Sequence, residues 1–270
     1  MPMPVSMRPM TAADVLDGGI AVVKAAPRAV ITVAAVVLVP LELVSAWVQR
    51  DSLADRGLAG ALSAATSSSN SSSVHVDAAA IVLLALSGIA LSLVTGGVAA
   101  LLRGWYADTV PTAGDALRVS LQHAPALIAA WVLVHVVEAV AAVALIVPAI
   151  LVMPLFMVTA PAIVFERLGP LAAVRRSWRM TKTRYGAVLG AALLIATVSS
   201  LLTLALSGLG LAFTFLSFGW VIDAVCRAAS GLVTVPFVAA ATTLVYLDLR
   251  VRTEGLDLEL QFAERFTGEP

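Results

Sequence analysis

Cysteine occurs once in these 270 residues, at position 226. One thiol excludes an intramolecular disulfide framework, and Cys226 reads as a small buried apolar residue. Charge is scarce too. Asp, Glu, Lys and Arg make up 13% of the chain, about half the share usual in soluble domains, and the mean hydropathy is +0.97. That balance is the mark of a polytopic membrane protein. Long polar stretches are missing as well: residues 1–27, 49–77, 103–123, 166–186 and 248–270 hold nearly all the polar material. None reaches the roughly 40 residues below which a domain seldom folds unaided, which excludes an extramembrane catalytic domain. No nucleophile motif, phosphate-binding loop or dinucleotide fingerprint is present; GLGLAF from Gly208 lacks a strand before it and a third glycine.

What the chain does have is apolar runs. A membrane helix needs about 20 mostly apolar residues to cross roughly 30 Å of hydrocarbon. Six segments meet this: Ala29–Val48, Ala78–Leu102, Pro125–Leu145, Val147–Phe165, Ala187–Leu206 and Ala228–Leu247. The third and fourth form one apolar run, divided at Ile146–Pro148 because proline suits a turn or a first helical turn. Pro154 and Pro161 should kink the fourth span, which neighbouring helices can tolerate. Ser207–Trp220, glycine-broken and aromatic, reads as an interfacial or re-entrant piece, with a seventh span as the competing reading. The first span starts too late and runs too long for a cleaved signal peptide. The expected fold is therefore all-α: six transmembrane helices in three hairpins, forming one integral membrane domain over 1–270.

Cations set the orientation. With six spans, Arg8, Lys24, Arg28, Arg103, Arg118, Arg250, Arg252, Arg265 and six more within Glu166–Gly186 share a side, fourteen against the three at Arg50, Arg56 and Arg227. This bias predicts a cytoplasmic (inner) membrane protein with both termini inside, leaving the serine-rich Thr66–Ser73 in an external loop.

A repeat lies in the polar pieces. TAADVLDGG from Thr11 and TAGDALRVS from Thr112 both open as helix N-caps with an acid at the third helical position. Pro170 can start a third helix in the same place relative to its span. The chain thus reads as units 9–102, 103–166 and 167–250, each a short cytoplasmic surface helix, a span out and a span back, followed by a tail, 251–270.

In the third surface helix Leu171, Val174, Trp178, Thr181 and Tyr185 fall on one stripe. Arg175, Arg176, Arg179 and Lys182 flank it and Arg184 lies elsewhere, the pattern of an interfacial helix facing anionic lipid. At about 1 kcal/mol per cation near an anionic surface, these five suffice to hold the helix on the leaflet, and they are the candidate lipid- or anion-binding residues. An internal partner is the acidic tail, with Glu254, Asp257, Glu259, Glu264 and Glu269, whose alternating Leu256, Leu258, Leu260 and Phe262 suggest an extended docking segment.

Glu42, His135 and Glu138 are the ionisable residues well inside spans, about 15–20 Å from the cytoplasmic ends at 1.5 Å per residue. Ser199, Ser200 and Thr203 reach a similar level. Charged groups at such depth are costly and point to a polar site for a headgroup, proton or small solute, unless they form a structural cluster. No metal-ligand spacing accompanies them, so no metal or cofactor is expected.

At PAIVFERLGPLAAVRRSWRMTKTRYG from Pro161, LVYLDLRVRTEGLDLEL from Leu244 and RPMTAADVLDGGIAVVKAAPRAV from Arg8, the chain resembles a bacterial family, common in actinobacteria, named after the membrane domain of glycerophosphoryl diester phosphodiesterase. In some members that region is fused to a soluble phosphodiesterase barrel with acidic and histidine metal ligands; this chain has neither. The resemblance implies the membrane module without its catalysis. The expected function is a non-enzymatic scaffold or accessory subunit in envelope or lipid-associated organisation. Its partners would be membrane lipids, anionic ones among them, and a protein partner or a second copy in the membrane, with no nucleic acid. The alternative is a transporter or lipid-handling protein using the level of Glu42, His135 and Glu138. The two differ in one feature: a cavity opening toward those side chains, or their burial in helix contacts.

Overall fold

The computed structural model describes residues 8–54, 78–107, 109, 112–144, 146–211, 213 and 219–255. Its elements are α1 (Ala12–Ala25), α2 (Pro27–Ala54), α3 (Ala78–Tyr106), α4 (Ala113–Gln122), α5 (Ala124–Ala144), α6 (Ile146–Phe156), α7 (Thr159–Glu166), α8 (Pro170–Thr183), α9 (Tyr185–Leu211) and α10 (Gly219–Glu254). No strand occurs among the described residues. The protein is an all-α polytopic membrane protein.

Local chemistry explains the short helices. Thr11 caps α1 and Thr112 caps α4, each hydroxyl accepting from the backbone N–H of the acid three residues on, while Asp14 and Asp115 reach back to the cap N–H. The two motifs are capping boxes. Pro170 occupies the first turn of α8, where its missing N–H costs nothing.

Among the described residues five helices are long and apolar enough to cross a membrane: α2, α3, α5, α9 and α10. The fourth expected span, 147–165, is not a single rod. It is divided into α6 and α7 by a turn at Met157–Val158. Pro154 lies inside α6 and removes one intrahelical donor, while Pro161 falls in the first turn of α7, where none is needed. Side chains cover the carbonyls around the break: Ser177 Oγ donates to the Leu155 carbonyl at 2.8 Å, Tyr185 Oη to Leu151 at 2.7 Å and Thr159 Oγ1 to Phe156 at 2.7 Å. Broken helices survive in hydrocarbon only with such replacements.

Two other expectations shift. Ser207–Leu211 continues α9, and α10 begins at Gly219, nine residues before the expected Ala228; residues 212 and 214–218 lie outside the described residues. Val251–Glu254 belongs to α10 instead of a separate tail, and the alternating pattern from Leu256 onward also lies outside them, as does the loop Thr66–Ser73.

The 36-residue α10 is the central post, packed against α9, α2, α1 and α3. Tyr246 is fully buried on it and stacks against Phe165 with ring centroids 5.3 Å apart. Close approach is set by small residues. A Cβ on Gly97 would lie 2.6 Å from Val33 Cγ1, and one on Gly210 would lie 2.8 Å from the Cα of Asp223.

Polar contacts gather the ends of the elements at one end of the bundle. The Met10 N–H donates to Asp248 Oδ1 at 2.7 Å, Arg252 Nη2 donates to the Met10 carbonyl at 2.8 Å, and Arg252 Nε holds the same Asp248 oxygen at 2.7 Å. Arg103, near the end of α3, donates to the Val164 carbonyl of α7 at 3.1 Å. Tyr246 Oη donates to Glu166 Oε1 at 2.8 Å. The chain thus returns to this end after α3, after α7 and after α10.

Candidate functional site

The face that α8 buries is made of Ala173, Ser177, Met180 and Thr181. The stripe read from the sequence is divided between the two sides: Thr181 is buried, whereas Leu171 and Trp178 are exposed. Small side chains let α8 lie close to α6 and α7, so the large ones turn outward. The outward stripe is Leu171, Arg175, Trp178 and Lys182, spaced by four, three and four residues and so on one helical face. Two apolar anchors and two cations on one exposed face form the membrane-surface pattern.

The five candidate cations have different fates. Arg176 Nε donates to both Glu166 oxygens at 3.0 and 3.1 Å, and its Nη2 pairs with Glu254. Glu254 also takes a 2.8 Å bond from Arg250 Nε. Two acids and two guanidiniums cancel, so Arg176 fastens α8 to the ends of α7 and α10. Of the acids expected to lie on the basic helix, Glu254 pairs with Arg176 from the end of α10; Asp257, Glu259, Glu264 and Glu269 lie outside the described residues. Arg175 and Arg179 have no carboxylate within ion-pair distance among the described residues. With Phe156, Leu168, Val174 and Trp178 they line an open groove of about 720 Å³. Lys182 and Arg184 are exposed outside that groove, Arg184 as the C-cap of α8.

His135 and Glu138 line a second, partly open cavity of about 560 Å³, walled by residues of α3, α5, α6, α7, α9 and α10. His135 Nδ1 lies 3.0 Å from the Trp131 carbonyl, which can only accept, so the proton is assigned to Nδ1. That leaves Nε2 toward Glu138, 3.8 Å from its carboxylate. Trp131 stacks on the imidazole at 4.0 Å and approaches Gly88 so closely that a Cβ there would lie 2.5 Å from its indole nitrogen. Three of the hydroxyls in the wall are used within their own chain segments: Thr95 donates to Leu91, Thr159 to Phe156 and Ser199 to Ala196; Ser92 and Thr242 line it as well. The cavity therefore presents a mostly apolar lining with one ionisable pair, His135 and Glu138, the imidazole side chain 49% exposed.

Glu42 does not join them. It lines a separate cavity of about 440 Å³ between α2 and α10, among Val39, Ala46, Ala224 and Ala228. Its charged neighbours are Arg227 and Asp223, which pair with each other at 2.9 Å, with Asp223 buried. Both lie in the first turns of α10, which begins at Gly219, ahead of the span expected from Ala228. The spacing Asp-x-x-x-Arg was the available signal, because opposite charges four apart on a helix neutralise each other. Among the described residues no three His, Cys, Asp or Glu side chains converge as a metal set would require. Compared with family models, with curated proteins and with solved structures, the chain matches none.

Proposed function

We propose that this chain is a non-enzymatic, lipid-handling protein of the cytoplasmic membrane, whose central cavity accepts a lipid acyl chain. One observation carries the reading: the cavity of about 560 Å³ lies between the helices and has His135 and Glu138 in its wall. A scaffold would bury those side chains in helix contacts. A cavity of this size lies within the range of small-molecule sites, which are mostly apolar with a few placed polar groups. Because the lining is mostly apolar and three of its hydroxyls already donate within the chain, a hydrocarbon chain suits the space better than a polar solute does.

The proposed topology has six crossings with both ends inside. The Met10–Asp248 and Arg252–Met10 contacts join the start and finish of the helical bundle, which supports an even number of crossings between them. Five continuous helices can cross, and α6 with α7 supplies the sixth. Their 11 and 8 residues rise about 28 Å together at 1.5 Å per residue, close to the hydrocarbon thickness. The fourteen-to-three cation bias supports placing this side in the cytoplasm. The likeness to the phosphodiesterase membrane module forms part of the proposal, since two of the segments that carry it, RPMTAAD and LVYLDLRVRTEG, meet in this clamp.

Filling the cavity tests the function. Ser92→Phe and Ala192→Phe, on opposite walls, should each weaken binding of a spin-labelled phosphatidylcholine to the purified protein by about tenfold, roughly 1.4 kcal/mol. Binding unchanged in both variants, with the fold intact by circular dichroism, would remove the cavity from any role.

A further inference from the structure

We infer that the groove beside α8 and the central cavity are two compartments of one site. Its ligand is an anionic phospholipid, with the phosphate between Arg175 and Arg179 and one acyl chain passing Phe156 into the cavity. This rests on the cavity reading above and adds the headgroup. Phe156 belongs to the wall of both spaces. Its ring stacks on Trp178 with centroids 5.7 Å apart and planes at 36°, and Trp178 is exposed on the groove side. The two spaces are therefore separated by an aromatic pair instead of a continuous helix. Immediately beyond Phe156 the backbone turns at Met157–Val158, and the frame on the other side is pinned by Ser177 on the Leu155 carbonyl.

Charge selects the ligand class. Glu166 also lines the groove, but its carboxylate is held by Arg176 and by the Tyr246 hydroxyl. Among the described residues the groove cations without a carboxylate partner are Arg175 and Arg179, four apart on α8 and so adjacent on its surface. A guanidinium pair matches the oxygens of a phosphate. Leu168, Val174 and Trp178 around it suit the glycerol and upper chain, and a free inorganic anion would leave them without contact.

The probe is Trp131 in the cavity wall. A chain with Trp47, Trp105, Trp178 and Trp220 changed to Phe keeps that indole alone, and a brominated acyl chain quenches it on contact. In phosphatidylcholine nanodiscs, brominated phosphatidylglycerol should quench with about tenfold higher affinity than brominated phosphatidylcholine. The preference should vanish in Arg175→Gln/Arg179→Gln, and quenching by both lipids should fall in Ala192→Phe. Equal quenching by the two lipids, unaltered by the arginine changes, overturns the anionic headgroup and leaves the cavity reading standing. Quenching that Ala192→Phe leaves intact means lipid reaches Trp131 from the bilayer, and overturns both. If the four-fold Trp variant does not fold, native mass spectrometry of the wild-type chain offered equal phosphatidylglycerol and phosphatidylcholine decides the question. A phosphatidylglycerol excess abolished by Arg175→Gln/Arg179→Gln supports the bipartite site; no excess overturns it.

Discussion

Arg176 differs from Arg175 and Arg179 in what its charge meets. It lies between Glu166 and Glu254, with side chains 21%, 22% and 28% exposed, so its removal leaves the half-buried Glu166 carboxylate without a cation, holding only the Tyr246 hydroxyl, and leaves Glu254 to Arg250 alone. Breaking a fully buried pair costs roughly 3–5 kcal/mol; residual exposure here reduces the expectation for Arg176→Ala to about 2 kcal/mol. Arg175→Ala should stay within about 0.5 kcal/mol. Thermal unfolding in detergent separates the two, and equal effects would show that the Glu166–Arg176–Glu254 chain does not hold α8. At the caps, the Thr11 hydroxyl and backbone N–H hold the Asp14 carboxyl below its ordinary range, and Thr112 does the same to Asp115. A carboxyl depressed in the folded state contributes stability above its unfolded pKa and loses it as pH falls through the folded value. Thr11→Ala should lower Tm by about 2–4 °C equally at pH 7 and pH 5. The difference should narrow below the ordinary carboxylate range, near pH 4. A difference that grows on acidification would contradict the cap.

Among the elements, the broken apolar segment formed by α6 and α7 depends on its neighbours. Ser177 comes from α8 and Tyr185 from the start of α9, and both donate to carbonyls of α6. Ser177→Ala and Tyr185→Phe should each cost about 1 kcal/mol, and together at least the sum. Hydrogen exchange should then rise at Met157–Val158 before it rises in α5. If exchange there is unchanged in the double variant, α6 and α7 hold their turn without α8. The two faces of α8 thus divide at this scale: its buried small face supports the break, and its Leu171–Arg175–Trp178–Lys182 face is exposed.

For the whole molecule, the shared end of the bundle is the strongest constraint on topology. In a Cys226→Ala background, a cysteine at Thr253 should resist a membrane-impermeant maleimide applied to intact cells, while one at Ser69 should react. Labelling of Thr253→Cys from outside would invert the protein. Reaction of both or of neither would break the even count of crossings.

How much of this was written in the chain depends on the range of the physics. Apolar length and capping chemistry are local: a run of some 20 apolar residues in hydrocarbon must satisfy its backbone within itself, and Thr-Ala-x-Asp closes a helix end without outside help. Hence α1, α4, α8 and the long spans follow from sequence, and so does a weakness at Pro154 and Pro161. Lateral position around a bundle is not local. Glu42, His135 and Glu138 match in depth, yet packing places Glu42 beside Asp223 and Arg227 and the other two in a different cavity. Likewise, periodicity put Arg175, Arg176 and Arg179 together, but contacts 10 and 78 residues away in the chain decided which of them is neutralised and which two remain available to a ligand.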